Sequence, residues 1–516
     1  MSGLLQPIAI VVLGVFTVIT IIIGIISTRK ANSIENFLLA GRNLGPLLSA
    51  FSYGTTYFSA VIFIGYAGMF GWMIGLGSIW IGVGNAIIGC LIAWLILAKP
   101  TRRMTHTLKS RTVPEFFAAR YLSRTMKIYA ALIIFIFLVP YAASVYKGLG
   151  SLFSAIFVGV SPLVCMAIVA ILTAIYLVLG GYIATALNDL IQGCIMIFGL
   201  ICMILVIVNQ PEVGGFSQIA DRLRDIDPGL VDMTGGGAWK VLATNILLTS
   251  FGVWGMPQMV HKYYAVREGK SIRYATIIST LFAVFIGVGA YLTGSLSHLF
   301  FQPDAATGLP GVEGGYDFVV PAMLIHAMTN SIFGIIILCV IMLLLLSASM
   351  STLSGLVLSS SSAVTIDLIE DARPDIKKST HMLIMRGLCL LFVILSFIFA
   401  SLNISFIVNL MSFSWGVVAG SFIGPFIWGL YARFISKAGA WCGLLSGPVV
   451  VGVLLIVNTI MADFDTAKGM APTFGITAMG VSIVITPLVS AITRKYEQGH
   501  LDNVFKRVET AKAETN

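Results

Sequence analysis

The sequence predicts an all-α polytopic membrane protein, and three observations carry that reading. The 516 residues are 58% hydrophobic and only 10% charged, with a mean hydropathy of +0.97. Apolar runs close to the roughly 20 residues that span a hydrocarbon core of about 30 Å recur from one end to the other. The charged residues fall between those runs with a bias in sign. Thirteen transmembrane helices are expected, near 6–27, 46–70, 75–98, 128–147, 161–180, 187–209, 241–260, 274–300, 330–364, 382–401, 404–431, 438–461 and 471–493.

Placing the N-terminus outside and alternating thereafter puts most of the 31 Lys and Arg in cytoplasmic loops or in the tail 494–516. The loop at 99–127 carries Lys99, Arg102, Arg103, Lys109, Arg111, Arg120, Arg124 and Lys127. The opposite-side loop at 210–238 holds Glu212, Asp221, Asp225, Asp227 and Asp232 against Arg222 and Arg224. This positive-inside pattern gives a multi-pass cell-membrane protein with an outside N-terminus and a cytoplasmic C-terminus. The N-terminal MSGLLQPIAIVV lacks a basic n-region and a small-residue cleavage site, so the first run is expected as a retained span.

Several function classes are excluded at this level. The net charge of +9 is spread over short loops, which argues for membrane topology and against nucleic acid. Cys90, Cys165, Cys194, Cys202, Cys339, Cys389 and Cys442 lie in or beside apolar runs without paired spacing, as small packing residues do. There is no Walker-type phosphate loop, G-x-G-x-x-G, G-x-S-x-G or H-E-x-x-H, so neither ATP-driven pumping nor enzymatic hydrolysis has a signature. The tail is too short for a signalling or nucleotide-binding module, and nothing calls for an obligate protein partner. One transmembrane domain over 1–516, in contact with lipid and a small-molecule substrate and driven by an ion gradient, is the reading that remains.

Three segments carry chemistry. The second run holds Ser49-Ala50-Phe51-Ser52-Tyr53-Gly54-Thr55-Thr56-Tyr57-Phe58-Ser59-Ala60, then Gly65 and Gly68. A helix this polar can unwind locally, and freed carbonyls at membrane depth are tolerated where protein, water or an ion satisfies them. Close packing through small residues would leave the same pattern. The ninth run ends in Ser347-Ala348-Ser349-Met350-Ser351-Thr352-Leu353-Ser354-Gly355. Hydroxyl and carbonyl oxygens suit a hard cation, Ala348 and Thr352 share a helix face, and a packing seam or serines bonded back to their own helix are the alternatives. Asp189 follows Gly180-Gly181-Tyr182 with no basic residue close in sequence, either as a functional intramembrane acid or as a carboxylate at a helix start. Gly252, Gly255 and Pro257 interrupt the seventh run, five runs after the first break, which suggests repeated five-helix units.

At these residues the chain resembles the sodium:solute symporter family, including its sodium/proline and sodium/pantothenate members. The resemblance rests on Asn36-Phe37-Leu38-Leu39-Ala40-Gly41-Arg42, Thr112-Val113-Pro114-Glu115-Phe116-Phe117, Gly180-Gly181-Tyr182 with Asp189, and Met350-Ser351-Thr352-Leu353-Ser354. It implies a LeuT-like core of two inverted five-helix repeats, about 46–209 and 241–431, with peripheral helices at 6–27, 438–461 and 471–493. It implies a sodium ion held by the carbonyls of Thr55, Phe58 and Ala348 and the hydroxyls of Ser351 and Thr352. Asp189 and Ser354 would serve a second ion or a relay, although Gly355 stands where two-sodium members carry serine, which implies one sodium per cycle. Substrate is expected near Tyr57, Ser59, Tyr141, Ser144, Trp254, Gln258 and Trp415. Tyr57 replaces an acid of the proline carriers, and the 56–60 run and Leu187-Asn188-Asp189 resemble the pantothenate branch. The implied function is sodium-coupled import of a small polar solute, with a carboxylate-bearing one such as pantothenate, an amino acid or another monocarboxylate favoured. A proton-coupled carrier of the same fold and a sodium/sugar symporter are the alternatives.

Overall fold

A chain this apolar can satisfy its backbone in a bilayer only as helices or as a closed barrel. The computed structural model describes residues 4–28, 34–373, 375–402, 404–493 and 496–513, and these are helical, with isolated bridges but no strand among the described residues. All seven cysteines are free.

Ten described helices, against the thirteen expected, are long and apolar enough to cross a membrane. The difference comes from where the helices break. Val61–Thr107 counts as one run of 47 residues, about twice the length a bilayer accommodates at roughly 1.5 Å per residue. It changes direction at Gly75, whose φ of 65° and ψ of −139° suit glycine, and where a Cβ would meet the Leu230 carbonyl at 2.2 Å. The helix Pro162–Val208 is interrupted at Gly181, at φ 56° and ψ −157°, and Gly181–Val208 counts as a span of its own. Trp239–Gly255 ends at Met256, which is extended because the following proline disfavours helical backbone, and Pro257–Ala265 then starts anew.

Burial sorts the helices into a centre and a rim. In Ile407–Tyr431 and Ile332–Glu370, 89% and 72% of the most apolar stretch is buried, against 22% in Leu5–Ile26 and 28% in Ser379–Ser401. The rim helices turn large side chains such as Ile10, Val11, Ile398 and Leu488 outward, as lipid-facing helices do. The helix Ile332–Val364 packs on both Pro162–Val208 and Pro46–Tyr57, so serine-rich and glycine-broken segments meet in the centre.

At one end the 99–127 loop is tied to the end of the central helix. The Thr112 side chain caps the helix Val113–Tyr121 by accepting from the Glu115 N–H, and it donates to Asp367 at 2.9 Å. Arg111 pairs with Glu115 at 2.6 Å and Glu370 at 3.1 Å, which holds its guanidinium further into the charged range. The motif Thr112–Phe117 thus serves to fasten this loop.

Backbone-to-backbone packing sets the spacing of Lys270–Ser295 against its neighbours. A Cβ on Gly71 would meet the Gly294 carbonyl carbon at 2.4 Å, one on Gly294 the Ala67 oxygen at 2.0 Å, and one on Gly82 the Gly287 carbonyl carbon at 2.5 Å. Small residues permit this approach. Gly294→Leu is expected to destabilise by about 1–3 kcal/mol or more through overpacking, read as a lower melting temperature of the purified protein. Gly480→Leu, at an exposed position with open space around it, serves as the control and should melt with the parent.

Candidate ion and solute site

The helix Pro46–Tyr57 stops because Phe58 adopts φ −104° and ψ 104°, and helical structure resumes beyond Ser59. Thr55 to Ala60 are all buried. The Ser59 hydroxyl accepts from the Val61 N–H at 3.2 Å, and the Ser349 hydroxyl accepts from the Ala60 N–H at 3.2 Å. Both satisfy N–H groups left free where the helix resumes.

Across the break lies the serine-rich part of Ile332–Val364. The Thr352 hydroxyl stands 3.0 Å from the Thr56 carbonyl, 3.1 Å from that of Ala348 and 3.5 Å from that of Thr55. Ser351 Oγ lies 2.8 Å from Thr55 Oγ1 and 3.4 Å from Thr56 Oγ1. Ser354 donates to the Ser351 carbonyl at 2.8 Å. Neutral oxygens from two helices therefore converge in one buried place, drawn from Thr55, Ala348, Ser351 and Thr352 among the expected residues. Thr56 joins them, its carbonyl being nearer to Thr352 than that of Thr55.

Asp189 lies 1% exposed in the helix that continues from Gly181, well past its first turn, so the reading as a helix-start carboxylate does not hold. Its Oδ2 accepts from Ser52 at 2.6 Å, and Lys262 donates to Ser52 at 2.8 Å while standing 3.9 Å from the same carboxylate oxygen. No basic residue stands close to Asp189 in sequence, and the fold brings Lys262 to it. Lys262 counts as a loop residue when the seventh run ends at 260, but Pro257 restarts the helix and carries Lys262 inward. Lys147, a base within another span, is committed to Asp317 at 3.0 Å and to the Ser405 carbonyl at 2.6 Å.

Beside the break a cavity of about 20 Å³ is lined by Tyr57, Phe58, Ser59, Tyr66, Asn85, Tyr141, Thr249, Tyr291, Met411 and Trp415, among others. That is room for about one water, so admitting an organic solute requires these side chains to move apart. Tyr57 donates to the Thr249 carbonyl at 2.9 Å, and Tyr141 meets Trp415 edge to face with centroids 5.7 Å apart. The Tyr291 hydroxyl is buried without a hydrogen-bond partner among the described residues, and the buried Trp415 indole N–H faces the Tyr141 hydroxyl.

Of the expected substrate residues, Tyr57, Ser59, Tyr141 and Trp415 line this cavity, whereas Ser144 donates to the Tyr141 carbonyl at 2.7 Å and Trp254 to that of Ile88 at 3.1 Å. Gln258 packs beside Gly355, on the Thr56 side. Asn85 and Tyr291 were not expected, although a polar group inside an apolar run is the signal that would have flagged them.

Comparison with known proteins adds relatives of nearly full length. The osmoregulated proline transporter OpuE of Bacillus subtilis is 28% identical over 94% of this chain and 95% of its own. The sodium/proline symporter of Salmonella typhimurium is 28% identical over 84% of each. A solved Na+-coupled sialic acid symporter, captured substrate-bound and outward-open, superposes with a TM-score of 0.76 at 17% identity, covering 95% of this chain and 98% of the other. That likeness establishes a LeuT-like transporter fold. The match to the family model runs over residues 37–447, and this chain belongs to the sodium:solute symporter family.

Proposed function

We propose that this protein imports a small amino or imino acid of the proline class together with one sodium ion, by alternating access. The observation that carries this reading is the buried cluster of neutral oxygens joining the broken helix to Ser351 and Thr352. Such oxygens replace the hydration shell of a hard cation without holding it so tightly that it cannot leave. The Phe58 carbonyl, turned out of the helical ladder by its extended backbone, would complete the set. On this reading the solute lies in the adjoining cavity, the core repeats run over about 46–209 and 241–431, and the N-terminus faces outward.

The solute class follows from two supports. Tyr291 offers an unpartnered donor and Trp415 an indole N–H beside Tyr141, both of which a carboxylate accepts, while Phe58, Val61, Ile62 and Met411 give an apolar wall for a compact ring. The relatives named above are proline carriers, which shifts the reading away from pantothenate, the solute toward which the 56–60 run leans.

Sodium supplies the drive. Entry of one charge is worth roughly 2.3 kcal/mol per 100 mV, and a tenfold sodium gradient adds about 1.4 kcal/mol. Together they support accumulation of a neutral solute by several-hundred-fold. Because sodium and solute contact residues on either side of the same break, each raises the affinity of the other by an equal factor.

Uptake of proline into proteoliposomes should require sodium and move positive charge inward. Uptake driven by a pH gradient in sodium-free buffer would replace sodium with a proton. Ser351→Ala and Thr352→Ala should each raise the half-saturating sodium concentration about tenfold, the equivalent of roughly 1.4 kcal/mol; unchanged sodium dependence in both would remove this site from consideration. Tyr291→Phe and Trp415→Phe should raise the KM for proline roughly tenfold through loss of a hydrogen bond to a charged group, while sodium binding measured without solute stays at the parent level.

A further inference from the structure

The Lys262 ammonium, the Ser52 hydroxyl and the Asp189 carboxylate form a directed chain. Lys262 donates to Ser52 at 2.8 Å, Ser52 donates to Asp189 Oδ2 at 2.6 Å, and the ammonium itself is 3.9 Å from that oxygen. The Tyr182 ring lies under the ammonium, 4.9 Å from nitrogen to centroid. The side chains of Lys262 and Asp189 are 3% and 1% exposed, and neither has a second ion-pair partner among the described residues. Three separate helices supply this chain: Pro46–Tyr57 before its break, the helix continuing from Gly181, and Pro257–Ala265. Ser351 borders the same carboxylate.

A buried carboxylate beside serine hydroxyls is an oxygen set that a monovalent metal ion would take. Here the cation facing it is tethered to the chain. We propose that Lys262 is the resident counter-cation of Asp189, holds the place that a second sodium would otherwise occupy, and thereby fixes coupling at a single sodium. An uncompensated carboxylate at this depth is costly, so removing the ammonium leaves Asp189 open to a metal ion from solution. The inference rests on the symport reading for its consequence but concerns a different set of atoms from Thr352 and its carbonyls.

The test is equilibrium binding of radioactive sodium to the full chain in detergent, with the charge-to-solute ratio in proteoliposomes as a second readout. Lys262→Met should bind one sodium more per chain than the parent and raise the Hill coefficient of sodium binding from near one toward two. Lys262→Arg, which keeps the charge, should keep the parent count. Adding Asp189→Asn to Lys262→Met should abolish the extra ion. A monodisperse Lys262→Met protein with the parent count overturns the proposal, as does an extra ion that survives Asp189→Asn. The parent alone also decides: two sodium ions bound per chain overturn the proposal whether or not the variants fold. No sodium bound to the parent overturns the symport reading instead, while an ion gained in Lys262→Met would still uphold the role of Lys262.

Discussion

The structure depends on one interruption of a backbone. A helix that stops at Tyr57 and resumes only beyond Ser59, among fully buried residues, frees carbonyls where water is scarce, and each unpaired group there costs several kcal/mol. The surroundings are arranged to offset that cost. Ser349 and Ser59 accept from the restarted helix, and Thr352 reaches the carbonyls of the ending one. The serine-rich segment must therefore lie against the break, which fixes the helix Ile332–Val364 at the centre of the molecule. The long apolar rim helices follow, because a hydroxyl-lined centre in a bilayer has to be enclosed.

Much of this was legible in the sequence because its causes are local. Length and apolarity mark the membrane helices, glycine and proline mark the breaks at Gly181 and Pro257, and the hydroxyl pattern at 347–355 marks the helix face that meets the break. The turn at Gly75 falls where the sequence separates the runs 46–70 and 75–98. The partners of buried charges were not legible at all. Lys262 lies 73 residues from Asp189 in the sequence, and only the three-helix junction brings them together. Asn85, Thr249 and Tyr291 each stand out as polar groups inside apolar runs, but they reach the cavity from three different helices, and only the fold shows that they share it.

In the proposed cycle, the placement of charge lets a weakly binding site do the work of coupling. The oxygens near Thr352 are neutral carbonyls and hydroxyls, so in the proposed cycle a sodium ion bound there keeps its full charge and carries it through the membrane potential. A carboxylate in direct contact would cancel that charge and hold the ion against release on the low-sodium side. Asp189 is joined to the broken helix through Ser52, and the ammonium of Lys262 faces its carboxylate. On this account the buried ion pair is worth having although such pairs contribute little to stability: it leaves the neighbouring oxygens as the only ligands sodium can use, and so keeps binding weak enough for the gradient to drive both loading and release.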